Sequence, residues 1–367
     1  MKKILFLIHD LGHGGAEKVL VNLVNNMDPR QFDITVMSLF GGGVNEQFLK
    51  DYVRYRVVFP KAFPGNSHVM KLFSPKQLHR WFIREKYDIE VSYLEGPCAR
   101  IISGCETPGT KLVSWMHCTM HDAREAALGF RSIREAEAGY GRMDAMVFVS
   151  GSVRDAFLKS CPYPGRCEVL YNTNDSDRIT ALSGERAEMP HGQFLWCGVG
   201  KLEDVKGFDR MVRIQARLRQ EGFDARLLIL GEGSQRAELE ALAASCGVSD
   251  SVSFLGYQTN PYKYVSKCDL FVCASHSEGF STAATEALIV GTPVCTVEVS
   301  GMKEMLGQHN EWGIVTDNDE DALYQGIKGL LENPDRLAYY KEKAAERGRD
   351  FSTEQTVKAV EEMLLGL

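Results

Sequence analysis

No stretch of this 367-residue chain is long and apolar enough to span a bilayer, which takes about 20 consecutive apolar residues in a helix. The start, Met1-Lys2-Lys3 followed by Ile4-Leu5-Phe6-Leu7-Ile8, is too short for a secretory leader, and His9-Asp10 ends it without a small-residue cleavage site. A basic excess is missing as well. The formal charge of −7 and a pI near 5.8 exclude wholesale nucleic-acid binding, which leaves a basic footprint. The ten cysteines include no Cys-x-x-Cys pair, so a disulfide scaffold is excluded and a reducing cytoplasm is the expected location. A Walker A loop is absent. No carboxylate pair or histidine cluster has metal-ligand spacing, so neither a metal nor another cofactor is expected. Repeats and low-complexity segments are lacking too.

What is present is alternation. Apolar runs at Ile4–Ile8, Ile34–Leu39, Arg56–Phe59, Ile89–Tyr93, Lys111–Trp115, Ala145–Val149 and Glu168–Leu170 alternate with helical patterns, the first near Ala16–Asn26. The run from 176 to 192 loses its apolar period and reads as a linker. The alternation then restarts at Phe194–Gly198, Ala225–Leu230, Ser251–Leu255, Leu270–Cys273, Val294–Val297 and Gly313–Val315. The expectation is α/β: two Rossmann-like, doubly wound parallel-sheet domains, 1–175 and 193–350, with a cleft between them. The tail from Pro334 reads as helix to the end, with a capping box at Ser352–Gln355. Residues 351–367 are expected to cross back to the first domain.

Chemistry gathers at the strand ends. Between the runs ending at Cys273 and beginning at Val294 lies Ser275–Pro293, with Glu278 and Glu286 separated by seven residues. Two glutamates beside a helix are, as a bare pattern, ordinary surface residues. Here the preceding strand, the Gly279-Phe280 pair and the closing Gly291-Thr292-Pro293 argue otherwise. Glu278 falls on the loop at a strand's carboxyl end and Glu286 about one turn inside the helix, so both can face the crevice where open α/β sheets bind ligands. The first helical N–H groups favour an anion there. Hydroxyl acceptors plus a phosphate nest suit a nucleotide sugar.

Other strand ends add to this. Gly198 to Asp209 carries Lys201 and Lys206 on a glycine-rich loop, bringing positive charge to a diphosphate. Gly231-Glu232-Gly233-Ser234 and Leu255-Gly256 end two further strands. In the amino-terminal half, Gly12-His13-Gly14-Gly15-Ala16-Glu17 sits where a dinucleotide fingerprint would, but Glu17 stands where its last glycine belongs. Its glycines still allow close approach of a ligand. His117 ends a strand and is a candidate for contact with a substrate hydroxyl.

These motifs, in this order and spacing, resemble the retaining GT-B glycosyltransferases of family 4, often called group 1 glycosyltransferases. The resemblance spans Gly198 to about Asp317. It is thinner in the first half, where Gly14-Gly15-Ala16-Glu17, His117 and Tyr171-Asn172-Thr173-Asn174-Asp175 carry it. It implies that Glu278 holds donor-sugar hydroxyls, that Glu286 holds the ribose, and that Lys206 and Lys201 neutralise the departing diphosphate. Amides near Gly279, Phe280, Ser281 and Thr282 would bind sugar or phosphate oxygens, and the Leu255-Gly256 turn would meet the base. Gly231 and Gly233 fall on the donor side. His117 would contact the sugar near the reacting carbon, and Gly14 and Gly15 would shape the phosphate and acceptor side. Lys201 stands where the family more often has arginine, and Asn172 to Asp175 departs from its usual turn.

The implied activity is metal-independent transfer of a hexosyl group, with retention, from a nucleotide-diphosphate sugar, UDP favoured, to a hydroxyl of a glycan, glycolipid or polysaccharide precursor. The second domain would take the donor and the first the acceptor. Two rivals stay open: a non-catalytic partner subunit and a sugar-nucleotide epimerase. Finally, the stretch Lys71 to Lys86, with Lys76, Arg80, Trp81, Phe82 and Arg84, reads either as a half-exposed outer-layer helix, the preferred reading, or as a peripheral contact with the inner face of the membrane.

Overall fold

A computed structural model describes residues 1–12 and 14–367; His13 lies outside the described residues. The apolar runs form strands because a parallel strand is covered on both faces and needs no polar side. In chain order they are β1 (Lys2–Ile8), β2 (Phe32–Phe40), β3 (Arg54–Phe59), β4 (Ile89–Ser92), β5 (Lys111–Met116), β6 (Ala145–Phe148), β7 (Arg166–Val169), β8 (Phe194–Val199), β9 (Ala225–Leu230), β10 (Val252–Gly256), β11 (Leu270–Cys273), β12 (Val294–Val297) and β13 (Ile314–Thr316). Each run read as a strand is one.

The chain divides into two compact units, Met1–Thr173 with Thr353–Leu367, and Asn174–Ser352. The first holds a seven-stranded sheet in the order β3-β2-β1-β4-β5-β6-β7, and the second a six-stranded sheet in the order β10-β9-β8-β11-β12-β13. Every pairing is parallel. Each unit begins in the middle of its sheet, winds outward one way for two strands and then returns to the other side. The reversal falls between β1 and β4 in the first unit and between β8 and β11 in the second. Connections leaving these neighbours diverge, which opens a crevice at their carboxyl ends.

In the second unit Trp196, Leu227, Ile229, Leu270, Val272 and Tyr324 belong to one buried cluster. The Trp196 indole N–H donates to Gln215 Oε1 at 2.8 Å, and the Gln215 amide donates to the Ala225 carbonyl at 2.7 Å. The buried polar groups of Trp196 and Gln215 are thus satisfied within the core.

Two expectations are corrected. Residues 176–192 do not form a plain linker, because Ser176–Ser183 is a helix capped by the Asp175 side chain. It belongs to the second unit, where Asn260 donates to Leu182 O and Glu185 Oε2. Ile179 is its buried residue, and one apolar anchor is too sparse to register as a period. The tail is not one helix either. Pro334–Gly348 runs into a tight turn, Arg349–Phe351, and Ser352 is extended (φ −61°, ψ 150°) before Thr353–Leu365. That last helix is part of the first unit.

In the region 71–86, Lys71 ends a helix, Asn66–Lys71, and a second helix runs over Pro75–Phe82, with Ser74 and Gln77 forming a capping box and Leu78 and His79 buried. It is the half-exposed helix of the preferred reading. Among the described residues no helix is long and apolar enough to cross a membrane.

Candidate functional site

In the second unit the loops after β8 and β11 flank the reversal point, and local glycine chemistry draws them together. Gly207 has φ 64°, a left-handed conformation that glycine adopts at little cost. A Cβ there would run into the Ala274 carbonyl oxygen. The close approach continues as the His276 N–H donates to Val205 O at 2.8 Å. The short turn Asp204–Lys206 is thereby laid beside the loop that carries Glu278.

The consequence is an ion pair. Lys206 Nζ lies 2.7 Å from Glu278 Oε1, with the two side chains 30% and 11% exposed. Ser275 Oγ donates to the same carboxylate oxygen at 2.7 Å. Burial works against the charge of Lys206, but Glu278 more than offsets it and holds the lysine pKa above its ordinary value. The ammonium is therefore cationic at neutral pH. Lys201, in contrast, is two-thirds exposed and pairs with Glu203 at 2.5 Å.

Glu286 lies in the helix Thr282–Ile289, whose N-cap is Ser281, the Oγ accepting from Ala284 N. The Glu286 side chain is 7% exposed, and its Oε1 accepts from the Tyr262 hydroxyl at 3.1 Å. This hydrogen bond fixes an otherwise costly buried carboxylate. Phe280 is buried against Phe351, ring centroids 5.8 Å apart. A Cβ at Gly301 would crowd Phe280 and the Gly279 carbonyl, so the glutamate loop is seated from below.

Gly231 and Gly233 have a packing role. Added Cβ atoms would collide with the Gly200 and Leu202 carbonyl oxygens. The β8 and β9 end-loops touch backbone to backbone, with Leu202 N–H donating to Glu232 O at 2.9 Å. Gly256, φ 68°, ends β10 at a register shift, and its carbonyl accepts from Gly231 N–H at 2.9 Å. Leu255 is half-buried beside it.

In the first unit Gly14 is the N-cap of the helix Gly15–Asn26, and both glycines are exposed. A side chain at Gly14 would meet the Glu17 carboxylate, whose pKa burial raises. The fingerprint glycine is replaced by an acid that folds back over the loop.

His117 follows β5. As a residue it is partly exposed, yet its Nε2 is shielded from solvent and has no hydrogen-bond partner. Burial depresses its pKa to about 3, against the opposing bond to the Tyr93 carbonyl. With Nε2 unpartnered, that bond belongs to Nδ1–H, which leaves Nε2 as a bare lone pair on a neutral ring. It is an acceptor suited to a hydroxyl. The Tyr93 and Trp115 rings, with centroids at 4.8 Å and 6.4 Å, hold the imidazole.

Three contributors escaped the sequence reading. Glu95, just past β4, accepts the His117 N–H at 3.1 Å, and burial raises its pKa against the backbone donors around it. Its place two residues past an apolar run, on the strand beside His117's, was the available signal. Ser275 lay inside the motif but drew no role. Tyr262, on a four-residue helix, gave no signal at all.

Comparison with known proteins agrees with this geometry. Residues 185–347 match the family described as glycosyl transferases group 1, and residues 13–178 match glycosyltransferase family 4. A Campylobacter jejuni protein named N-acetylgalactosamine-N,N'-diacetylbacillosaminyl-diphospho-undecaprenol 4-alpha-N-acetylgalactosaminyltransferase is 29% identical over the full length of both chains. A Rhizobium meliloti lipopolysaccharide core biosynthesis glycosyltransferase, LpsD, is 25% identical over 89% of this chain and 88% of its own. Among solved structures, Anabaena HepE in complex with UDP superposes with a TM-score of 0.77 at 19% identity, covering all of both chains. Sucrose-phosphate synthase from Thermosynechococcus elongatus gives 0.78 at 17% identity, over 100% of this chain and 99% of its own.

Proposed function

The chain belongs to the group 1 glycosyltransferases and has their GT-B fold, and from that premise we propose that it moves a hexosyl group from a UDP-sugar to a hydroxyl of a lipid-diphosphate-linked glycan precursor, with retention at the anomeric carbon. Glycosyl transfer from a nucleotide sugar is the family's activity; the base, the stereochemistry and the acceptor are the proposal. UDP is favoured because HepE was solved with it, and the acceptor class because the Campylobacter relative's name specifies a diphospho-undecaprenol-linked saccharide.

The observation that carries the reading is the Lys206–Glu278–Ser275 constellation at the reversal between β8 and β11, beside the capped start of helix Thr282–Ile289. In the reaction the bond from the anomeric carbon to the β-phosphate oxygen breaks and its electron pair leaves with UDP. Lys206 and the helix amides meet the negative charge that develops there, where fixed donors are worth most. In the second unit Glu278 accepts from donor-sugar hydroxyls and Glu286 from the ribose; in the first the Nε2 lone pair of His117 offers an acceptor for a substrate hydroxyl. The acceptor oxygen bonds to the anomeric carbon on the face the phosphate leaves, and the acceptor's proton passes to the departing phosphate. Lys201, Gly256 and Leu255 complete the donor surroundings in the second unit, and in the first Gly14 and Gly15 leave room for a ligand to approach. A fixed ammonium at this position makes the reaction independent of divalent metal. A companion proposal is peripheral contact with an anionic membrane through the region Lys71 to Lys86, where Leu72 is 74% and Trp81 41% exposed.

The test is a panel of nucleotide sugars with and without chelator, the product's anomeric configuration being read by NMR. Transfer or slow hydrolysis of a UDP-sugar with retention, unaffected by chelator, is expected. Lys206→Ala and Glu286→Ala should each lower kcat/KM at least ~10-fold, the loss of one charge-assisted hydrogen bond. An epimerised donor, binding without turnover, or wild-type rates in both variants would overturn the reading.

A further inference from the structure

We propose that His79, Glu90 and Cys105 of the first unit form a zinc site. The trio sits apart from the strand-end loops described above. Glu90 lies within β4, an interior strand flanked by β1 and β5, and is fully buried. Its Oε2 is 2.7 Å from His79 Nε2 and its Oε1 3.7 Å from Cys105 Sγ. The three donor atoms all lie within 4.8 Å of one another, and His79 and Cys105 are buried as well.

Three separate parts of the fold are brought to one point to make this cluster. His79 comes from the helix Pro75–Phe82, Glu90 from the sheet, and Cys105 from the turn after the helix Pro97–Ile102. That turn is pressed onto the first helix so closely that a Cβ at Gly104 would overlap the Pro75 carbonyl. Arg142 fixes it further by donating to Cys105 O at 2.6 Å. A carboxylate at the centre of a sheet is expensive unless paired, and an apolar residue would serve the sheet at no such cost.

Imidazole nitrogen, carboxylate oxygen and thiolate sulfur together make a donor set that zinc takes. Glu90 and a Cys105 thiolate supply two negative charges, which a divalent cation cancels, so the loaded site is neutral and compatible with burial. Tetrahedral zinc with bonds of about 2.0–2.3 Å sets its donor atoms roughly 3.3–3.5 Å apart, so loading requires the His79–Glu90 contact to open by roughly 0.6 Å. His79 also lines a surface pocket with Gly104, Glu106 and Thr107, and a water would supply the fourth ligand. The site clamps helix, sheet and turn together. Its effect falls on the stability of the first unit and not on the transfer chemistry.

Without a metal, the same trio is a histidine–glutamate ion pair capped by a thiol, and the experiment separates the two. The full chain is expressed in zinc-supplemented medium, desalted, and its metal content measured by plasma mass spectrometry. Chelator-stripped protein is then titrated with cobalt(II). The expected result is about one zinc per chain, a thiolate-to-cobalt charge-transfer band, and a melting temperature that chelator lowers and zinc restores. Cys105→Ser, which keeps the size of the side chain, should lose the band and weaken zinc at least ~10-fold, whereas Cys118→Ser, altering an exposed cysteine, should keep both. Wild-type protein that holds no more zinc than Cys105→Ser and shows no cobalt band would overturn the proposal. A band that follows Cys118 would do so equally.

Discussion

His117 is held as a neutral ring, and that state has a measurable cost in acid. In the folded chain its pKa lies near 3, whereas an unfolded histidine titrates near 6.5. Above about pH 6.5 both states are neutral and the residue leaves stability independent of pH. Between about pH 6.5 and 3 the unfolded state binds the additional proton, so stability falls as pH falls, by up to ~1.4 kcal/mol per unit. His117→Gln keeps a polar side chain but removes this titration. Urea unfolding of both proteins at several pH values should therefore show a difference in stability that is constant above pH 6.5 and shifts steadily in favour of the variant below it. Parallel pH profiles would mean that the ring is not held neutral. His117 was legible in the sequence because it follows an apolar run directly, and so were Glu278 and Lys206. Glu286 was legible too, but its support was not: Tyr262, which donates to it, stands 24 residues away, and a hydrogen bond between two elements leaves no period in a sequence.

Helices and loops show a similar division. The glycines at 231 and 233 were read as ligand-facing, and their backbone contacts with the β8 loop give them a packing role that spacing alone cannot distinguish. The outer-layer pair Asn66–Lys71 and Pro75–Phe82 is anchored by Arg100, which is 1% exposed and donates to the carbonyls of Met70 at 2.9 Å and Phe73 at 2.6 Å while pairing with Glu135. This buried guanidinium fixes the connection between the helices, and Leu72 and Trp81 project from it into solvent. Lys76 is paired with Glu106, whereas Arg80, Arg84 and Lys86 are exposed. If this face meets an anionic membrane, each such cation contributes ~1 kcal/mol and the exposed apolar residues add burial. The chain should co-sediment with anionic vesicles in low salt and much less in high salt, and Leu72→Ser with Trp81→Ala should weaken it several-fold. Binding that ignores salt, or none at all, would leave the pair as an ordinary outer layer.

At the scale of the whole molecule, the alternation of runs and helices was enough to give both sheets, because a covered parallel strand announces itself by an unbroken apolar run. The boundaries were harder to read, since they depend on which unit a helix packs against. The helix Ser176–Ser183, read as linker, makes the point. The chain leaves the second unit at Ser352, and Thr353–Leu365 completes the first. There Val357, Val360, Met363 and Leu364 are buried, the Lys2 ammonium donates to Leu364 O at 3.0 Å, and Glu361 accepts the Asp28 N–H at 2.6 Å. Four buried apolar side chains at roughly 1.5–3 kcal/mol each are comparable to the 5–15 kcal/mol that holds a typical domain together. A chain ending at Ser352 should therefore lose the first unit's cooperative unfolding while the second, whose buried apolar residues run no further than Phe351, keeps its own. Calorimetry of the full chain and the truncated chain reads this directly: one transition should fall sharply in temperature and the other stay. If both transitions stay where they were, the final helix is an accessory to the first sheet and not part of its core.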